Sequence, residues 1–136
     1  MILVHTSAWV EYDRATDSSV DHRVRSLIGA DGSLAVCEPV VMEVLAGARS
    51  DQREADLRRL LRRFRLLRFD ATSDFDAATR IYRRCRRSGV TPRGMVDCMI
   101  AAVAWRHGAE VLAHDVDFAR LAGIAAVTLD EASLGA

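Results

Sequence analysis

Lysine is missing altogether: all 19 lysine-or-arginine positions in the 136 residues are arginine. A GC-rich genome accounts for that choice, though not for where the arginines fall. Long apolar runs are missing too. The longest nearly uncharged stretch, Met95 to Trp105, is broken by Asp97 and falls far short of the roughly 20 residues a membrane span needs, which excludes a spanning helix. No CxxC pair occurs among Cys37, Cys85 and Cys98, which are odd in number, far apart and set among apolar residues. That pattern speaks against a zinc site and a disulfide framework, and for reduced, buried thiols. No basic leader or small-residue cleavage site accompanies Met1-Ile2-Leu3-Val4, so this segment reads as a strand and not a secretory signal, and the cytoplasm is the expected location. Internal repeats and low-complexity segments are also lacking.

What is there has the balance of a soluble globular protein, with 50% hydrophobic and 28% charged residues. A chain of this length can bury about two-thirds of its unfolded surface in one core, so a single domain over residues 1–136 is expected. The net charge of zero hides an asymmetry. Residues 49–93 hold 14 arginines against six acids, a local charge of +8 that leaves −8 on the remainder.

Hydrophobic periodicity divides the chain into alternating strands and helices. Ile2–His5 reads as a strand, and Thr6-Ser7 as the cap of a helix running through Tyr12. A helix over Ser19–Ile28 closed by Gly29, a strand over Ser33–Cys37, and a helix from Pro39 to Gly47 follow. Leu57, Leu60, Leu61 and Phe64 recur at i, i+3, i+4 and i+7 with Arg58, Arg59, Arg62 and Arg63 between them, which predicts an amphipathic helix with an arginine face. After a strand at Leu66–Phe69, Ala78, Ile81, Tyr82 and Cys85 form another helical stripe, opposite Arg80, Arg83, Arg84 and Arg87. Gly89–Pro92 breaks the chain before the most apolar helix, Gly94–His107. A strand at Glu110–Ala113, a short helix at Asp115–Leu121 and a last strand at Ala125–Leu129 complete the order. Strands alternating with helices favour a parallel sheet covered on both faces.

In such a sheet ligands gather beyond the carboxyl ends of the strands. His5 ends the first strand, and Asp115 and Asp117 follow a late one. Glu43 and Asp97 stand out because their neighbours are apolar, and an ionised carboxylate there is costly unless it is paired, hydrogen-bonded or metal-bound. Each acid taken alone fits a solvent-facing helix turn or an arginine partner. Together they fit one acidic pocket, whose mutual repulsion a divalent cation relieves. Magnesium or manganese suits oxygen ligands and leaves room for a substrate phosphate, which points to hydrolysis of nucleic acid.

Four segments carry a family resemblance: Ile2-Leu3-Val4-His5-Thr6-Ser7-Ala8-Trp9, the Glu43 helix, Asp97-Cys98-Met99-Ile100-Ala101-Ala102 and His114-Asp115-Val116-Asp117-Phe118. In order and separation they resemble the PIN-domain nucleases, specifically the VapC-type toxins of bacterial toxin–antitoxin pairs, over essentially the whole chain. The resemblance implies an α/β fold: a single PIN-like domain whose central, mostly parallel sheet of four or five short strands is covered by helices on both faces. It implies a Mg²⁺- or Mn²⁺-dependent endoribonuclease that cuts structured RNA such as transfer RNA, is restrained by a cognate antitoxin, and forms a homodimer. It assigns catalysis to Glu43, Asp97 and Asp115, and metal ligation to these and to Asp117.

One position departs from the family. Its first acid, an aspartate at the end of strand one, corresponds here to His5. A neutral nitrogen ligand suits zinc, nickel or manganese better than magnesium, and an imidazolium repels any cation, so weakened metal binding and activity are expected. The other reading of His5 is a satisfied strand-end histidine that leaves the remaining acids sufficient. The arginine rows can hold an RNA backbone or can be solvated faces. Arg87 and Arg93, flanking the loop into the Asp97 helix, are the expected RNA or antitoxin contacts. The competing functional class is a non-catalytic module of the same fold that binds antitoxin or RNA. A receiver-like phosphotransfer domain shares the strand-end acids, but it calls for a lysine this chain lacks. Trp9, Tyr12 and Phe118 are expected in the core more than at an interface.

Overall fold

Three-residue strands form where branched and apolar residues can be buried on both faces. Ile2–Val4 (β1) and Leu34–Val36 (β2) are buried at every position, the signature of interior parallel strands. The computed structural model describes residues 1–30 and 32–136. Its remaining elements are α1 (Thr6–Asp13), α2 (Ser19–Gly29), α3 (Glu38–Ala46), α4 (Asp51–Leu61), β3 (Arg65–Leu66), α5 (Ala71–Arg87), α6 (Met95–His107), β4 (Glu110–Leu112) and α7 (Val116–Ala125). The four strands are all parallel, in the order β3-β2-β1-β4. Leu3 pairs with Ala35 on one side and Val111 on the other.

That order fixes where a ligand can sit. The connections β1→β2 and β2→β3 step the same way along the sheet, whereas β3→β4 returns past β1. Right-handed crossovers therefore place α1–α4 on one face and α5 and α6 on the other. The packing agrees: α1 lies on α2 and α3, α3 on α4, and α5, α6 and α7 on one another. The strand order reverses between β1 and β4, and the crevice beyond their carboxyl ends is the switch point of the sheet.

One hydrophobic cluster fills the interior, with Trp9, Phe118, Leu57, Leu67 and Ile100 among its largest fully buried members. Tyr12 packs on its edge, half-buried. Cys37, Cys85 and Cys98 are buried free thiols, as their apolar settings implied.

Several expected boundaries move. The cap of α1 is His5 itself, whose side chain accepts from the Ser7 N–H, and not Thr6-Ser7. The third strand starts and ends earlier than Leu66–Phe69, because the Phe69 N–H is taken by the Glu38 side chain at 2.7 Å and Asp70 then caps α5. Phe64 lies past the end of α4, yet still packs on Trp9 at 6.0 Å. The helix after Asp115 runs on to Ala125, and Ala126 adopts a left-handed conformation, so the last expected strand shrinks to a single bridge between Leu129 and Val111. Gly108 closes α6 at φ +64°, where a side chain is strained.

Candidate active site

The strand ends and helix starts at the switch point bring four of the expected residues together. His5 extends the β1 ladder by one bond, its N–H donating to Leu112 O at 2.9 Å, which fixes its side chain at the strand end. Asp97 sits in the first turn of α6, where the helix dipole favours negative charge. Asp115 caps α7, its Oδ1 accepting the N–H groups of Asp117 and Phe118 at 2.9 and 3.3 Å. Glu43 projects from α3, which packs on α6. A cavity of about 470 Å³ is lined by His5, Thr6, Ser7, Glu43, Arg93, Gly94, Val96, Asp97 and Asp115.

Each carboxylate in that cavity has an internal donor. Thr6 Oγ1 donates to Glu43 Oε1 at 2.7 Å, and His5 Nε2 lies 2.8 Å from Asp97 Oδ1. The Arg93 guanidinium bonds to Asp115 Oδ2 and reaches Asp117 at 3.4 Å. The Arg93 side chain is largely exposed, whereas those of His5 and Asp97 are 4% and 17% exposed.

The protons on the imidazole follow from its neighbours. His5 Nδ1 faces the Ser7 N–H at 3.1 Å and Ser7 Oγ at 2.8 Å. A backbone N–H can only donate, so Nδ1 is the acceptor and the ring proton is on Nε2, donated to Asp97. Ser7 Oγ in turn accepts from the His114 N–H at 2.8 Å, tying the end of β1 to the segment after β4. The ring rests on Phe118, 4.4 Å between centroids. His5 is thus locked as a donor toward Asp97, with no lone pair presented to the cavity.

Of the other expected residues, Asp117 and Arg87 are placed apart and Arg93 joins the cavity. Asp117 does not line this cavity; it is about half exposed, faces a neighbouring shallow one, and also pairs with Arg120 at 3.7 Å. Arg87 is exposed at the end of α5, outside the lining. Arg93 lines both cavities and acts here as the counter-ion of Asp115. Thr6 and Ser7 were expected only as a helix cap; as hydroxyls directly after a strand that ends at the switch point, they carried a readable signal as polar residues of the site.

As a metal centre, the donor set fits at three positions and fails at one. Glu43, Asp97 and Asp115 offer carboxylate oxygens to one cavity, as a hard divalent cation requires. At residue 5 the imidazole directs its N–H to Asp97 and offers the cavity no oxygen. The three carboxylates suit a cation by their chemistry but do not converge as a ready-made ligand shell, nor do any other three His, Cys, Asp or Glu side chains among the described residues.

Comparison with known proteins places these features in context. Residues 2–124 match the model of a family described as PIN domain. Ribonuclease VapC11 of Mycobacterium tuberculosis is 47% identical over 125 residues, spanning 91% of this chain and 93% of that protein. FitAcB from Neisseria gonorrhoeae shares the fold at a TM-score of 0.74, with 22% identity over 97% of this chain and 98% of that one. A toxin–antitoxin complex from Klebsiella pneumoniae does so at a TM-score of 0.68, with 17% identity over 98% and 96%.

Proposed function

The chain belongs to the PIN-domain family, among the VapC ribonucleases, and from that premise we propose that it is the ribonuclease toxin of a toxin–antitoxin pair with its catalytic centre impaired at His5. Glu43, Asp97 and Asp115 are the residues that would hold the divalent ion on which VapC nucleases of this family generally depend, here magnesium or manganese. Such an ion would polarise a phosphodiester and orient a water for attack on it. The chain's own residues orient the site. Thr6 fixes one Glu43 oxygen, Ser7 fixes the imidazole and the strand end, and Arg93 holds Asp115 while the solvent-facing edge of its guanidinium can meet an incoming phosphate. Its partner is then an antitoxin protein, its substrate structured RNA of the transfer-RNA kind, its assembly a homodimer and its site of action the cytoplasm. No helix of the described residues is long and apolar enough to cross a membrane.

The observation that carries the impairment is the His5 Nε2–Asp97 Oδ1 hydrogen bond at 2.8 Å. It occupies a catalytic oxygen with a proton and replaces an anionic ligand with a neutral donor. The test is cleavage of a pool of structured RNA by this chain and by His5→Asp, each in magnesium and in manganese, with Asp97→Ala as blank. Cleavage confined to His5→Asp is the expected result. Equal cleavage by both would defeat the impairment, and none by either favours the second reading. That second reading, a non-catalytic module that binds antitoxin or RNA, draws on the same internal pairing, since every carboxylate of the cavity is compensated without a cation.

A further inference from the structure

We propose that the exposed arginine row of α5, Arg80, Arg83, Arg84 and Arg87, is a track for the RNA phosphate backbone that leads into the acid cavity; this rests on the ribonuclease reading and adds the surface by which substrate is captured. The helix buries Asp74, Ala78, Ile81 and Cys85 and turns these arginines to solvent. Arg80 pairs with Asp76 of its own helix at 2.7 Å, but no carboxylate of the described residues pairs with Arg83, Arg84 or Arg87. By contrast, Arg58 and Arg59 on α4 are matched within their own helix by Glu54 and Asp56.

Two physical features separate this row from an ordinary solvated face. Like charges three and four residues apart on a helix repel, and Arg80–Arg84, Arg83–Arg87 and Arg84–Arg87 all stand at such spacings, so the row works against the helix that carries it. The helix dipole rewards cations only in the last turn, which covers Arg84 and Arg87 but not Arg80 or Arg83. The direction of the row is set by the α5–α6 hairpin. Asp74, in the first turn of α5, bonds to Arg106, in the last turn of α6, at 2.7 and 2.8 Å. The two helices are therefore antiparallel, and the arginine-rich end of α5 lies beside the start of α6, where Asp97 sits. The connecting loop carries Arg93, whose guanidinium is already in the cavity. A polyanion approaching three carboxylates needs compensating charge along its path, and this row supplies it without reading bases.

The test is fluorescence anisotropy of a labelled RNA hairpin and of a scrambled duplex, with EDTA present so that nothing is cut, over a series of salt concentrations. Arg83→Gln/Arg87→Gln is compared with Arg58→Gln/Arg59→Gln, which removes the same charge elsewhere, and thermal melts establish that both are folded. The α5 pair is expected to weaken binding of both RNAs alike and to lower the log–log salt slope by about 1.8, at ~0.9 per lost phosphate contact on a duplex, with the α4 pair near wild type. An unchanged slope for the α5 pair, an equal loss for both pairs, or no RNA binding by the wild type would each overturn the track. So would stronger competition by polyglutamate than by RNA, which would make the row a dock for an acidic protein. Failure of the ribonuclease reading shows separately, as absence of cleavage by His5→Asp.

Discussion

Replacing His5 by aspartate should convert a fold indifferent to divalent cations into one that depends on them. In the native chain the Nε2–H of a 4% exposed ring donates to a largely buried Asp97 carboxylate. Losing a hydrogen bond to a charged group costs about 1.5–3 kcal/mol. The new carboxylate adds repulsion of up to ~4 kcal/mol at about 4 Å and an effective dielectric of 20, part of which protonation of one partner relieves. A net loss of about 3 kcal/mol in chelator follows, which for a chain of this size lowers Tm by roughly 10 °C. A cation that binds the native state at a hundred times its Kd restores about 2.7 kcal/mol. The assay is thermal unfolding of both proteins in EDTA and in millimolar Mg²⁺. The native chain is expected to melt at one temperature in both. His5→Asp is expected to melt well below it in EDTA and to recover most of the difference in Mg²⁺. A His5→Asp protein as stable as the native one in EDTA, with no shift on adding Mg²⁺, would refute the compensation ascribed to His5.

Two further outcomes test the packing around the site. Burial alone pushes the Asp74 carboxyl up, but the Arg106 guanidinium and the Asp70 N–H outweigh it and hold it below the usual 3.8. Because the folded value is depressed, the stability from Asp74 is present above the usual carboxylate range and is lost as pH falls through the depressed value. Asp74→Asn should therefore cost about 3 kcal/mol at neutral pH, the low end for a broken buried pair since Arg106 is a third exposed, and its deficit should shrink below about pH 4; urea unfolding across pH reads both. Burial pushes the Cys37 and Cys98 thiols up to about 12, so neither should react with a thiol reagent at pH 8 until the chain is unfolded, and rapid labelling of the native protein would contradict their burial.

The parallel α/β architecture was legible because its determinants are local. Branched and apolar residues at Ile2–Val4 and Leu34–Val36 have nowhere to go but a buried strand, and Ala78, Ile81, Tyr82 and Cys85 recur at the spacing of one helical face. Glu43 and Asp97 were legible for the opposite reason, as charges amid apolar neighbours that needed compensation. Where local signals competed, tertiary contacts decided. Glu38 took the amide that would have prolonged β3, and the left-handed Ala126 cut the last strand to one bridge.

The sequence by itself therefore determined the order and kind of the elements as far as the helix after Asp115, the identity of the acids and the histidine at residue 5, because side-chain periodicity and buried charge are properties of the chain. Only the tertiary structure decided what those residues do to one another: that His5 donates to Asp97, that Arg93 pairs with Asp115, and that Asp117 stands outside the cavity. Residues 92 positions apart, as His5 and Asp97 are, meet only when the strand order reverses between β1 and β4. Which atom carries the proton between them is set by a backbone N–H two residues from His5.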